Sequence, residues 1–284
     1  MTLILTVGNK RGIYQSSDFQ LSEAGTGKFI SDEPGSKQLD SAHGTYGTLR
    51  AKLSLTGVAS IDGRKTIDWL ADEMKKLEQI TNINDICEAL VQWGNNTELG
   101  SGLLLVLAVG EVDRPFRVAE IANVDPETWA PQKEFKRTIR TTDEPFYLVR
   151  GSGADSIFDD EKRKLEALSL DTIKSPKQIL NELAEINKDV EPRSNGKVSA
   201  GCWVGSLYKD ETPGYSSIST MAWNAGGKLG CVPQISNQQD MLESVQKQFP
   251  QVDFSKIVQT GGGSFMPKSS RASAAKGRPP KKPT

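Results

Sequence analysis

The stretch Met1-Thr2-Leu3-Ile4-Leu5-Thr6-Val7-Gly8-Asn9-Lys10-Arg11-Gly12-Ile13-Tyr14-Gln15-Ser16-Ser17-Asp18 decides how the rest of the chain is read. Residues 2–7 are β-prone, residues 8–12 form a polar turn bounded by two glycines, and residues 13–18 resume an extended pattern. The opening therefore reads as a β-hairpin. Residues 1–7 are too few, and lack the basic flank, for a secretory signal. No apolar run approaches the roughly 18 residues that a membrane-spanning helix needs. A cytoplasmic protein that begins folding at its first residues is the expectation.

Beyond the hairpin, a Gly/Ser/Pro-rich loop runs to about Gly35. Lys37-Gln38-Leu39 follows as a short strand, then a turn around His43-Gly44 and a strand over residues 51–58. The first quarter of the chain is all β. The period then changes: Ile67, Leu70, Met74 and Leu77 recur at three- and four-residue steps, which places them on one face of a helix. Asn84 is expected to cap a second helix, with Ile86, Leu90 and Val91 inward and Gly94 at its end.

Residues 103–109 form an unbroken apolar run, as expected of a strand buried on both faces. Residues 114–121 pair with it across the turn at residues 110–113. Residues 146–150 make another short strand, and Gly151-Ser152-Gly153 leads from it into helical sequence near Ala154. Ser175-Pro176-Lys177-Gln178 has the N-cap serine, first-turn proline and Gln of a capping box, opening a helix with Ile179, Leu183 and Ile186 inward. Strands at residues 197–208 and 215–223 and a last helix at 237–249 complete the order β, αα, β, αα, β, α. Two helix pairs separated by strand groups fit an α+β protein in four layers, each pair covering one of two stacked sheets. A doubly wound sheet would need strand and helix to alternate singly.

The chain has 284 residues, 36% hydrophobic and 25% charged, which is ordinary globular composition. Its net charge of −1 is unevenly spread. Residues 266–284 carry six basic groups and no acid, which leaves residues 1–265 at −7. Cys87, Cys202 and Cys231 are odd in number and show no CxxC spacing, so a reduced compartment is expected. His43 is the single histidine, and a histidine-based triad or zinc site would have to rest on it alone. No cofactor motif is present. Gly25-Thr26-Gly27-Lys28 lacks the first glycine of a phosphate loop and has Phe29 where the Mg²⁺-binding hydroxyl belongs. Gly261-Gly262-Gly263 reads as a linker where the fold ends.

Taken together, the strand-first Thr2 hairpin, Ser17-Asp18, Lys37, Leu55-Thr56-Gly57-Val58 ahead of a helix, and Gly151-Ser152-Gly153 resemble the proteasome β-subunit family of N-terminal-nucleophile (Ntn) hydrolases. The resemblance is clearest over residues 2–210. It implies a proteasome-like αββα sandwich over residues 1–265, followed by a basic, Pro-rich tail at 266–284. It further implies Thr2 as catalytic nucleophile once Met1 is removed, with its own α-amine as base. Lys37 then lowers the proton affinity of the nucleophile, and Asp18 holds that lysine charged. Lys28 is the rival lysine, but it would shorten the intervening loop. Ser152 and Ser199 are expected near the amine, and Gly57, after Thr56, at the oxyanion and the incoming substrate.

Each of these residues also has an ordinary structural reading: a strand threonine, a turn aspartate, a loop lysine, a helix-capping serine and a turn glycine. One departure stands out. The family carries Asp-x-x-Ser here, and Gly196 stands where the acid belongs; Asn195 could supply its hydrogen bond but not its charge. The family's partners are peptide or protein substrates, copies of the same chain in a closed ring, and an unfoldase. A catalytically inactive structural or assembly protein of the same fold is the alternative. The tail sequence Lys276-Gly277-Arg278-Pro279-Pro280-Lys281-Lys282-Pro283 is a degenerate AT-hook, which makes DNA a secondary expectation. A solubilising tail, or one that docks on an acidic partner, is the plainer reading.

Overall fold

The computed structural model of the chain describes residues 2–18, 21–22, 29–31, 37–44, 49–99, 102–111, 114–209 and 215–222. The expected helix at 237–249, the glycine linker at 261–263, Cys231, the loop containing Lys28 and the basic tail lie outside these residues. Strands β1 (Ile4–Asn9) and β2 (Gly12–Asp18) form the opening hairpin, paired from Ile4↔Ser17 to Asn9↔Gly12. Asn9 turns the chain by accepting from the amides of Arg11 and Gly12 through Oδ1.

Two short ladders follow at different points, β3 (Leu21–Ser22) with β4 (Phe29–Ser31), and β7 (Ser60–Ile61) with β8 (Arg64–Lys65). Between them run β5 (Gln38–His43) and β6 (Leu49–Gly57), so His43 lies in a strand and not in a turn. Helices α1 (Thr66–Lys76) and α2 (Ile83–Asn96) come next. Asn82, not Asn84, caps α2, because its Oδ1 accepts from the amides of Asn84 and Asp85. Gly94 does not end that helix. A Cβ there would lie 2.7 Å from the Phe135 ring, so the glycine makes room for an aromatic packed onto the helix.

Strands β9 (Leu103–Glu111), β10 (Arg117–Val124), β11 (Pro131–Thr141) and β12 (Phe146–Arg150) follow. A 3₁₀ turn at Ala154–Ser156 stands where a helix was expected, and α3 begins only at Asp159 and ends at Leu170. Helix α4 (Pro176–Val190) opens with the expected capping box, in which Ser175 and Gln178 exchange backbone-to-side-chain bonds. Strands β13 (Cys202–Lys209) and β14 (Tyr215–Ala222) close the described part.

The strands form two five-stranded antiparallel sheets, ordered β12-β1-β2-β13-β14 and β11-β10-β9-β6-β5. Side-chain alternation along each strand sorts the apolar residues into three clusters. Leu103, Leu105, Leu107 and Val109 of β9 face α1 and α2, meeting Ile67, Leu70, Ile86 and Leu90. Leu104, Val106 and Ala108 of the same strand face the other sheet, meeting Ile4, Ile13, Leu148 and Leu207. Leu3, just before the first sheet, and Leu5 and Val7 within it face α3 and α4, meeting Leu165, Leu168, Ile179 and Leu183. The expectation of a β9 buried on both faces is thus met by one strand serving two cores. Among the described residues no helix is long and apolar enough to cross a membrane.

Candidate active site

Thr2 lies two residues before the start of β1 and is buried at 2% exposure. Its nitrogen donates to Ser152 Oγ at 3.1 Å, and its carbonyl accepts from the Gly153 amide at 3.0 Å. The turn that follows β12 therefore grips both sides of the Thr2 peptide. Glycines make that approach feasible. Gly151 has φ of 95°, and a Cβ on it would lie 2.3 Å from Thr2 O and 3.0 Å from Thr56 Oγ1. Gly153 is equally confined, because its Cβ would meet Val198 Cγ2 at 2.4 Å and Leu3 Cβ at 3.1 Å. At Gly151, close backbone approach and left-handed φ together leave glycine as the residue that fits.

Asp18 ends β2 and organises the opposite side. Its Oδ1 accepts from the Leu3 amide at 2.9 Å and from Lys37 Nζ at 3.1 Å, and its Oδ2 accepts from the Ser199 amide at 3.2 Å. The Asp18 amide in turn donates to Leu3 O at 3.2 Å. Both members of the Asp18–Lys37 ion pair are fully buried. Lys37 sits just before β5, and its carbonyl accepts from the Leu55 amide at 3.0 Å, which ties it to β6 two residues before Gly57. An ion pair out of contact with water persists only with good geometry and additional hydrogen bonds, and here two backbone amides supply those bonds.

Thr56, buried, and Gly57 close β6 beside this cluster. Gly57 has φ of 111°, and a Cβ there would lie 2.0 Å from Gly102 O, so tight contact with the start of β9 already requires a glycine. Ser199 enters differently from its expected role. Its amide reaches Asp18, while its hydroxyl donates to Gly201 O at 2.8 Å. Gly196 lies exposed at φ of 71° with open space around its Cβ position. Thus Thr2, Asp18, Lys37, Ser152 and the Ser199 amide form one hydrogen-bonded cluster, and Thr56 abuts it through Gly151.

Sequence reading left out Asn187 of α4, whose buried Nδ2 donates to Ser199 O at 2.8 Å and so fixes the turn that presents the Ser199 amide. An asparagine on the inward face of a helix was its one signal. Among the described residues, Cys87, Cys202 and His43 lie apart from this chemistry or are held unreactive. Burial pushes the Cys87 thiol up to about 12, and burial followed by the Asp18 charge raises Cys202 further. His43 bridges Leu77 O and Ser41 Oγ, partners outside the Thr2 cluster. Among the described residues no group of three or more His, Cys, Asp or Glu is placed to hold a metal ion.

No protein-family model matches the sequence, and no curated protein matches it. Among the solved structures that match the chain are Anbu proteins. Anbu of Pseudomonas aeruginosa, solved as a helical assembly, is 13% identical with a TM-score of 0.48, covering 88% of this chain and 97% of that one. Anbu, the ancestral β-subunit, from Yersinia bercovieri is 13% identical with a TM-score of 0.45, covering 93% and 100%. A Gly-1 mutant of Anbu from Hyphomicrobium sp. strain MC1 is 13% identical with a TM-score of 0.46, covering 89% and 98%. Identities and scores this low transfer no residue role and no activity to this chain.

Proposed function

We propose that this chain is a proteasome-like N-terminal threonine hydrolase that cleaves peptide or other amide bonds through an acyl-enzyme on Thr2 once Met1 is removed. The observation that carries the reading is the buried Asp18–Lys37 pair, whose carboxylate also binds the Leu3 amide, one residue from Thr2. A fully buried ion pair is costly, and its position beside an N-terminal threonine gives that cost a use. Two sheets with a shared apolar layer and a helix pair on each outer face support the αββα sandwich that this chemistry implies.

With Met1 attached, Thr2 N is an amide that donates to Ser152 Oγ. Once Met1 is removed, the same nitrogen is an α-amine with an ordinary pKa of about 7.7 to 8.0, basic enough at neutral pH to take the Thr2 hydroxyl proton. The oxygen attacks the substrate carbonyl, and the amine passes its proton to the departing nitrogen. Water, deprotonated by the same amine, then releases the acyl group and regenerates the hydroxyl. The Lys37 cation favours the deprotonated oxygen. The Gly57 amide is the proposed donor to the oxyanion; losing such a donor raises the barrier by about 2.7 to 4 kcal/mol. Ser152 orients the amine, and Ser199 holds Asp18 through its amide.

The reading extends to one hydrolase domain over residues 1–265 with a separate basic tail, a ring-forming homo-oligomer in the cytoplasm, and an unfoldase as partner. Intact-mass spectrometry and treatment with a peptidyl β-lactone test its core. Loss of Met1 and a covalent adduct on Thr2, absent from Thr2→Ala, are expected; retained Met1 would overturn the reading. A second reading, a catalytically idle assembly protein of the same fold, draws on the Ser199 hydroxyl being engaged by Gly201 and on Gly196 in place of an acid. It predicts a Thr2→Ala variant equal to the wild type in peptide turnover.

A further inference from the structure

Between the two sheets, amid the apolar layer of Val118, Ala122 and Leu148, lies an ion pair that the Thr2 chemistry does not use. Arg150, the last residue of β12, directs Nε and Nη2 to the two carboxylate oxygens of Glu120 on β10, the Nη2 bond at 3.3 Å. Both side chains are buried, and a third charge, Arg140 on β11, approaches Glu120 at 3.7 Å from the more exposed side. Arg150 Nη1 also donates to Val149 O at 2.9 Å.

Such a pair adds little to stability. Replacing a buried ion pair with apolar side chains of similar volume is often neutral or favourable. What it supplies is direction. A two-pronged guanidinium–carboxylate contact fixes distance and angle together, whereas apolar faces tolerate sliding. Direction matters here because β12 is a five-residue edge strand with one ladder neighbour, β1. The three residues after Arg150 make the contacts that hold Thr2: Gly151 against Thr2 O, Ser152 Oγ on Thr2 N, and Gly153 N on Thr2 O.

We propose that Arg150 and Glu120 are positioning residues, which lock the end of β12 against the second sheet and thereby set where Ser152 meets the Thr2 nitrogen. Their catalytic consequence rests on the threonine-hydrolase reading; their structural one does not. The test uses the full chain carrying Arg150→Met with Glu120→Leu, and separately Arg150→Lys, which keeps the charge and loses the fork. In the double variant, hydrogen exchange at the Gly153 amide accelerates about tenfold or more while β9 amides keep their protection. Thr2-dependent peptide hydrolysis loses kcat by about 10²-fold, the cost of a small misplacement, with KM held within about twofold. Arg150→Lys falls between. Unchanged Gly153 exchange, or exchange that accelerates evenly through both sheets, overturns the proposal. A wild-type protein with no Thr2-dependent hydrolysis sinks the threonine-hydrolase reading instead, and the exchange measurement still decides the pair.

Discussion

Lys37 Nζ and Asp18 Oδ1 lie 3.1 Å apart with both side chains fully buried, and the same carboxylate accepts from amides that flank Thr2 and the turn before β13. Removing one charge leaves the other in a low-dielectric site. Asp18→Asn and Lys37→Met are each expected to cost about 3 to 5 kcal/mol in denaturant unfolding. The double variant should recover part of that loss, with a coupling energy of roughly 0.5 to 3 kcal/mol. Strict additivity in the cycle would show that the pair is not coupled.

Gly151 and Gly196 both have left-handed φ, yet they should respond differently to alanine. At Gly151 the added Cβ meets Thr2 O at 2.3 Å, whereas at Gly196 it meets nothing within 4 Å. Gly196→Ala pays conformational strain alone, about 1 kcal/mol. Gly151→Ala adds a clash with backbone, for a total of roughly 3 to 5 kcal/mol. Thermal unfolding of the two variants side by side checks the ranking, and equal losses would contradict it.

How far the sequence could be read follows from the range of each interaction. The β1–β2 hairpin, the run at residues 103–109 and the Ser175 capping box are local, and periodicity or turn chemistry exposes them. Strand β11 was missed because its residues, Pro131-Gln132-Lys133-Glu134-Phe135-Lys136-Arg137-Thr138-Ile139-Arg140-Thr141, are mostly exposed and polar, with Phe135 the one buried side chain. Gly94 looked like a helix end because only the distant Phe135 shows why a helix interior needs a glycine there. Around Thr2, Asp18 and Lys37 were legible through the family resemblance. Asn187 and the Arg150–Glu120 pair were not, because their partners lie 12 and 30 residues away on other elements.

Asn187 offers a test of how the Ser199 turn is held. Its amide is buried and donates to Ser199 O at 2.8 Å, so Asn187→Leu leaves a buried carbonyl without that donor. The expected loss is about 1 to 3 kcal/mol in chemical denaturation. Hydrogen exchange at the Ser199 amide, which donates to Asp18, should accelerate by more than the global loss explains. Protection that declines uniformly would place Asn187 in general packing.

His43 provides a pH-dependent test with a single reporter, since it is the only histidine in the chain. Nδ1 lies 2.8 Å from Leu77 O, which can only accept, so Nδ1 carries the proton and Nε2 accepts from the Ser41 hydroxyl at 2.8 Å. Both ring nitrogens are thus satisfied in the neutral form. Burial lowers the pKa from its ordinary 6.5, outweighing the Leu77 bond and the Glu78 charge that raise it. In the unfolded chain the ring takes up a proton near pH 6.5, whereas the folded protein resists protonation to lower pH. Unfolded molecules therefore bind more protons in this window, and stability falls as pH drops below about 6.5, by at most about 1.4 kcal/mol per unit. The decline ends once pH passes below the folded pKa. In the NMR spectrum of the folded protein, the one imidazole should titrate below 6.5. His43→Gln should be less stable at pH 7 and lack the slope between pH 7 and 5 that the wild type shows. A folded-state pKa at or above 6.5, or the same slope in the variant, would refute this account of the buried ring.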